Sequence, residues 1–116
     1  MKNTIDLESI RQELQQYESR LISFRKTVHE NPEVGFNTQD TLARIKSTLE
    51  EFGIPGLDTE TSPGSGFLLI EGNRPGATVA LRADIDALPI EEKSGCAWAS
   101  QNGSATLAGT MAIKLG

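Results

Sequence analysis

Near the N-terminus, Leu7, Ile10, Leu14, Tyr17, Leu21, Phe24 and Val28 recur at alternating intervals of three and four residues. Those intervals match the helical period, so the side chains share one apolar stripe and predict a single long helix. Asp6 stands where an N-cap carboxylate is wanted, and Asn31-Pro32 ends the helix because the residue before proline avoids the helical region. A second helix is predicted from Thr38 to Phe52, with Leu42, Ile45, Leu49 and Phe52 inward, Asn37 or Thr38 as cap, and Gly53 at the left-handed position after its end. Phe67 to Glu71 and Ala77 to Arg82 then read as strands. They are joined by Gly72-Asn-Arg-Pro-Gly76, whose residues favour a turn, so a β-hairpin is expected. Ser104 to Leu115, rich in small residues, reads as a closing helix. The pattern is that of an α/β chain: two helices, a hairpin and a C-terminal helix. No repeat, low-complexity tract or linker divides residues 1–116, so one domain is expected.

Candidate chemistry gathers at Val79-Ala-Leu-Arg-Ala-Asp-Ile-Asp-Ala-Leu-Pro-Ile90, where an apolar run ends in Asp84 and Asp86. In a strand, side chains at i and i+2 leave the same face, so the two carboxylates are expected to reach one pocket or one cation. Pro89 stops further ladder pairing. The structural alternative is loop capping, in which each Asp bonds nearby backbone N–H groups.

The string LRADIDALPIEE resembles a segment of metal-dependent amidohydrolases of the aminoacylase and carboxypeptidase superfamily. The nearest branch is that of N-acyl-amino-acid deacetylases, hippurate hydrolases and indole-acetyl-amino-acid hydrolases. ISFRKTVHENPEVGFNTQDTLARIKSTLEEFGI (Ile22 to Ile54) resembles the same family's opening helices. The resemblance implies the N-terminal part of a zinc-peptidase-like catalytic domain. It also implies a divalent metal (zinc, manganese, cobalt or nickel), and small N-acyl amino acid or peptide substrates whose amide bond is cut by a metal-bound water that a glutamate activates. It places Asp86 as a carboxylate orienting the metal's ligands and Asp84 where other branches carry a ligand. The family's His-Ala-Cys-Gly-His-Asp ligand motif is absent between Gly103 and Ser104. An internal deletion that joins its flanks is the simplest reading, which leaves residues 1–116 a single incomplete catalytic domain.

The remaining residues support the same expectation. Hydrolytic zinc takes three protein ligands and an open position, whereas this chain has one His and one Cys. His29 reads as a structural residue beside a helix end. Cys96, with no base nearby in sequence, reads as an inert thiol. No metal ligand is therefore assigned and no cofactor is expected in this chain; Asp84 and Asp86 alone would suit a weakly held Mg²⁺. Gly64-Ser-Gly66 lacks the Lys and following helix of a phosphate loop and reads as a turn.

Charge and hydropathy narrow the partners. A net charge of −5 without a basic cluster disfavours nucleic acid and anionic membrane. No apolar stretch approaches a membrane span, Met1-Lys-Asn-Thr-Ile-Asp lacks a signal-peptide core, and a single cysteine fits a reducing compartment, so a cytoplasmic protein is expected. The stripe from Leu7 to Val28 suits core packing better than a coiled coil. An incomplete domain exposes sheet edges and apolar patches, which favours self-association. The expected function is that of an N-acyl-amino-acid hydrolase fragment, inactive alone; the alternative is a non-catalytic module that binds a full-length paralogue or another protein.

Overall fold

The computed structural model describes residues 5–101 and, as backbone, residues 106–107. Within them run three helices, α1 (Leu7–Gln15), α2 (Glu18–Glu30) and α3 (Gln39–Glu51), and two short strands, β1 (Ala87–Leu88) and β2 (Thr106–Leu107). The strands pair antiparallel, with Ala87 opposite Leu107 and Leu88 opposite Thr106. The architecture is compatible with part of an α/β domain.

The single N-terminal helix expected from the stripe is two helices. Asp6 caps the first, its Oδ1 accepting from the N–H groups of Glu8 at 3.1 Å and Ser9 at 3.3 Å. The backbone then tightens, with Tyr17 N–H donating to the Leu14 carbonyl at 3.0 Å, and α2 resumes as Leu21 N–H donates to Tyr17 at 2.9 Å. At this break the Tyr17 ring meets Phe52 edge-on, with centroids 5.0 Å apart and planes at 65°. Periodicity is blind to that contact because the partner lies beyond α3. The break also splits the stripe: Val28 is buried, while Leu7 and Leu14 stay 74% and 55% exposed. Arg20 on α2 clasps Glu51 on α3 through two bonds of 2.8 and 3.1 Å, which lowers the Glu51 pKa and raises that of Arg20. The pair is exposed, so it aligns the helices more than it stabilises them.

The start of α3 is capped from outside its own sequence neighbourhood. Thr38 holds the N-cap place, yet its hydroxyl donates to the Gly64 carbonyl at 2.8 Å. Glu33 supplies the cap: one carboxylate oxygen accepts from both the N–H and the hydroxyl of Thr41 at 2.5 Å, the other from Asp40 N–H at 3.3 Å. A carboxylate there satisfies orphan donors and complements the positive end of the helix. At the other end Gly53, at φ +75°, forms the expected left-handed stop. Its N–H donates to Glu50 at 3.0 Å and that of Ile54 to Leu49 at 2.8 Å, the two bonds of a Schellman motif.

The small core lies where α2, α3 and β1 converge, at Val28, Leu42, Ala87 and the buried threonines Thr38, Thr41 and Thr48. Ala87 is fixed there by its N–H donating to the Glu33 carbonyl at 2.7 Å and by a parallel bridge to Val34. The expected hairpin is not formed among the described residues. Phe67 instead exchanges two 2.9 Å backbone bonds with Asp58, closing an intervening turn. Residues 68–86 carry no strand, and Leu69, Ile70, Val79 and Leu81 are all more than half exposed. An isolated two-stranded hairpin is marginal in water, and nothing described here covers one face of it. The closing helix expected over Ser104 to Leu115 falls mostly outside the described residues; at Thr106–Leu107 the backbone is strand, paired to β1. The radius of gyration, 16.4 Å, exceeds the roughly 13 Å of a compact chain of this length. No described helix is long and apolar enough to cross a membrane.

The Glu33 cap yields a stability prediction. Glu33→Ala is expected to lower unfolding free energy by about 1–2 kcal/mol, the range for losing a helix cap, with Glu33→Gln recovering part of the loss. Chemical denaturation monitored by helical circular dichroism measures it, and an unchanged midpoint in Glu33→Ala would contradict the capping role.

Candidate functional site

The anchor at Ala87 decides where the preceding acidic segment passes. Arg82 to Asp86 run beside the Gly35-Phe36 turn and the turn at Gly64. Gly64 has φ +72°, and a Cβ there would lie 2.6 Å from the Phe36 carbonyl oxygen, so only glycine lets these turns meet. Together with Arg82 they enclose an open cleft of about 350 Å³ that Asp84 and Asp86 both line. Asp86 is half-buried. Asp84 is more exposed and accepts from Arg82 Nη2 at 3.3 Å. The segment is not a strand among the described residues, so the shared cleft arises from the neighbouring turns and not from a pleated face.

The cleft does not fit the divalent metal that the family resemblance implies. A hydrolytic site needs three protein ligands with an open position. Here two carboxylates from one segment are present, one of them engaged by Arg82, and neither belongs to a group of three potential ligands among the described residues.

A second cluster forms where the last turn of α2 meets the chain beyond Pro89. His29 Nε2 lies 2.7 Å from Glu92 Oε1, with side chains only 16% and 7% exposed. The same oxygen accepts from the Ser94 hydroxyl at 2.6 Å, and Cys96 Sγ approaches it at 3.8 Å. The other carboxylate oxygen accepts from Ser100 N–H at 2.5 Å, while Gln101 N–H donates to the Glu30 carbonyl at 2.9 Å. Hydrogen bonds from Ser94, then His29, then the Ser100 N–H hold the Glu92 carboxyl down to about 2, against 4.5 unperturbed. The sequence reading left His29 and Cys96 without partners, and the fold corrects this by inserting Glu92 between them. Glu92 and Cys96 stand four apart around a Ser-Gly turn, but nothing in the sequence signals that α2 reaches them.

No family model matches the chain, and no solved structure matches it. Curated relatives do. The chain is 39% identical over 88 residues to "Thermostable carboxypeptidase 2" of Saccharolobus solfataricus, covering 76% of this chain and 22% of that protein. It is 42% identical over 99 residues to "N-acetyl-L-cysteine deacetylase" of Bacillus subtilis, covering 85% and 24%. It is 36% identical over 95 residues to "N-acyl-L-amino acid amidohydrolase" of Geobacillus stearothermophilus, covering 82% and 25%. The chain thus spans about a quarter of the length of these relatives.

The Glu92 cluster makes a pH prediction. A carboxyl whose folded pKa is depressed contributes stability that is present above its unfolded value and lost as pH falls through the folded one. The contribution of Glu92 is therefore full above pH 4.5 and disappears toward about pH 2. Glu92→Gln is expected to be less stable than the parent at pH 6, with the difference shrinking steadily across that acid window. Thermal melts at a series of pH values measure this; a constant difference would refute it.

Proposed function

We propose that this chain, which belongs to the peptidase M20 superfamily of amidohydrolases and carboxypeptidases over the quarter of its relatives' length that it spans, forms the N-terminal part of a zinc-peptidase-like catalytic domain. The parent activity is hydrolysis of the amide bond of small N-acyl amino acids or peptides. The observation that carries this reading is the LRADIDALP segment, Leu81 to Pro89, with Asp84 and Asp86 on one cleft. Relatives named for N-acyl-amino-acid hydrolysis and deacetylation support the substrate class.

In the parent domain Asp86 takes the position of the carboxylate that orients the metal's ligands; here it is half-buried, next in sequence to the buried Ala87. Asp84 is the exposed member of the pair and accepts from Arg82 Nη2. The family's metal does not fit these donors, so no step is assigned to one here. Residues 1–116 constitute a single incomplete catalytic domain, cytoplasmic and without turnover on its own. Assays with N-acetyl and N-benzoyl amino acids and added Zn²⁺, Mn²⁺, Co²⁺ or Ni²⁺ are expected to show no hydrolysis. Turnover that survives repurification and vanishes in Asp86→Ala would show that the chain is catalytically sufficient.

A second reading, that of a non-catalytic module, is favoured by apolar surface. Leu7, Leu14, Phe36, Leu69, Ile70 and Val79 are each more than half exposed, and apolar surface left open on this scale favours association with a partner. Concentration-dependent dimers or larger species are expected in light scattering. A strict monomer over a wide concentration range would remove self-association as a consequence of that surface.

A further inference from the structure

Outside the cleft, one group of side chains combines three different ligand chemistries. His29 Nε2, a Glu92 carboxylate oxygen and Cys96 Sγ all lie within 4.8 Å of one another, and all three residues are half-buried. From this geometry we infer that His29, Glu92 and Cys96 form a binding site for one thiophilic divalent ion of the Zn²⁺ or Co²⁺ kind.

The two distances to Glu92 are close to those an ion imposes, and His29 and Cys96 lie within 4.8 Å of each other. Tetrahedral bonds of about 2.0–2.3 Å hold their donors roughly 3.3–3.6 Å apart. Cys96 Sγ already stands 3.8 Å from Glu92 Oε1. The His29–Glu92 pair, now 2.7 Å apart, has to open by about half an ångström to admit an ion at normal bond lengths, a change small side-chain rotations supply. The donors are also preorganised. His29 projects from α2, the Ser100 N–H holds Glu92 Oε2 and leaves Oε1 to face the ion, and Gly95 at φ +67° turns the chain so that Cys96 comes back toward Glu92.

Donor chemistry selects the metal. Imidazole, carboxylate and thiolate together suit zinc-like ions, whereas Mg²⁺ and Ca²⁺ prefer all-oxygen sites. On binding, the Cys96 thiol releases its proton to solvent, the His29 ring gives up the Nε2 proton it lends to Glu92, to Nδ1 if the ring is neutral and to solvent if it is charged, and the thiolate and Glu92 carboxylate together balance the charge of the ion. The fourth position remains for water or for the Ser94 hydroxyl, which lies 3.3 Å from Cys96 Sγ. The site shares no residue with the cleft.

Titration of the reduced chain with Co²⁺ alone tests it through the thiolate-to-cobalt charge-transfer absorption. One equivalent is expected to produce the band, Cys96→Ala to abolish it, and His29→Ala to weaken Co²⁺ binding at least tenfold. In the unmutated chain, one equivalent of Zn²⁺ is expected to slow alkylation of Cys96 by iodoacetamide at least tenfold, with EDTA restoring the rate. This second readout does not depend on whether a variant folds. Absence of the band at millimolar Co²⁺, a band that survives Cys96→Ala, or alkylation indifferent to Zn²⁺ would overturn the assignment; none of these outcomes bears on hydrolysis at the cleft.

Discussion

Three parts of the chain depend on Glu33. Its side chain takes the first N–H groups of α3, and its carbonyl takes the N–H of Ala87. The first interaction starts a helix whose own Thr38 hydroxyl is committed to Gly64. The second seats β1 in the core beside Val28. Because the anchor at Ala87 fixes where Arg82 to Asp86 pass, the acidic cleft inherits its position from a residue that is not among those lining it. A buried backbone donor must find an acceptor, and the Glu33 carbonyl is the acceptor Ala87 finds.

The core built on that anchor is small for the apolar content of the chain. Val28 and Leu42 are covered, but the first half of the N-terminal stripe and the apolar run around Leu69, Ile70, Val79 and Leu81 face solvent. Such side chains gain their stabilisation only when something removes them from water. A strand sequence without a neighbouring strand or helix face has the right residues and no reason to pair.

Glu92 plays for the second cluster the part that Glu33 plays for the first. Its two oxygens accept from a serine hydroxyl and a backbone N–H, with His29 and Cys96 completing the surroundings. These bonds all favour the ionised form, which is why the carboxyl stays charged far below the usual range despite being nearly covered. A carboxylate so fixed joins the end of α2 to the chain that follows Pro89. It also leaves an imidazole and a thiol facing the same oxygen, an arrangement with chemical capacity beyond joining two segments.

Local patterning by itself determined the α-helical half and its punctuation. Asp6 caps α1, Leu42 turns inward on α3, and Gly53 ends α3 in the left-handed conformation, because capping, amphipathicity and φ > 0 are settled by residues within a few positions of one another. The sequence also marked Asp84 and Asp86 as the acidic end of an apolar run, and its resemblance named the family its relatives share. Tertiary structure decided the rest. The break at Tyr17 accompanies a contact with Phe52, the α3 cap comes from Glu33, and Phe67 pairs with Asp58 in place of a hairpin partner. His29, Glu92 and Cys96 became one cluster only when α2 was brought against the segment after Pro89. In each case the partner lies outside the window that periodicity and propensity read, so the chain specifies the donor locally and only packing selects the acceptor.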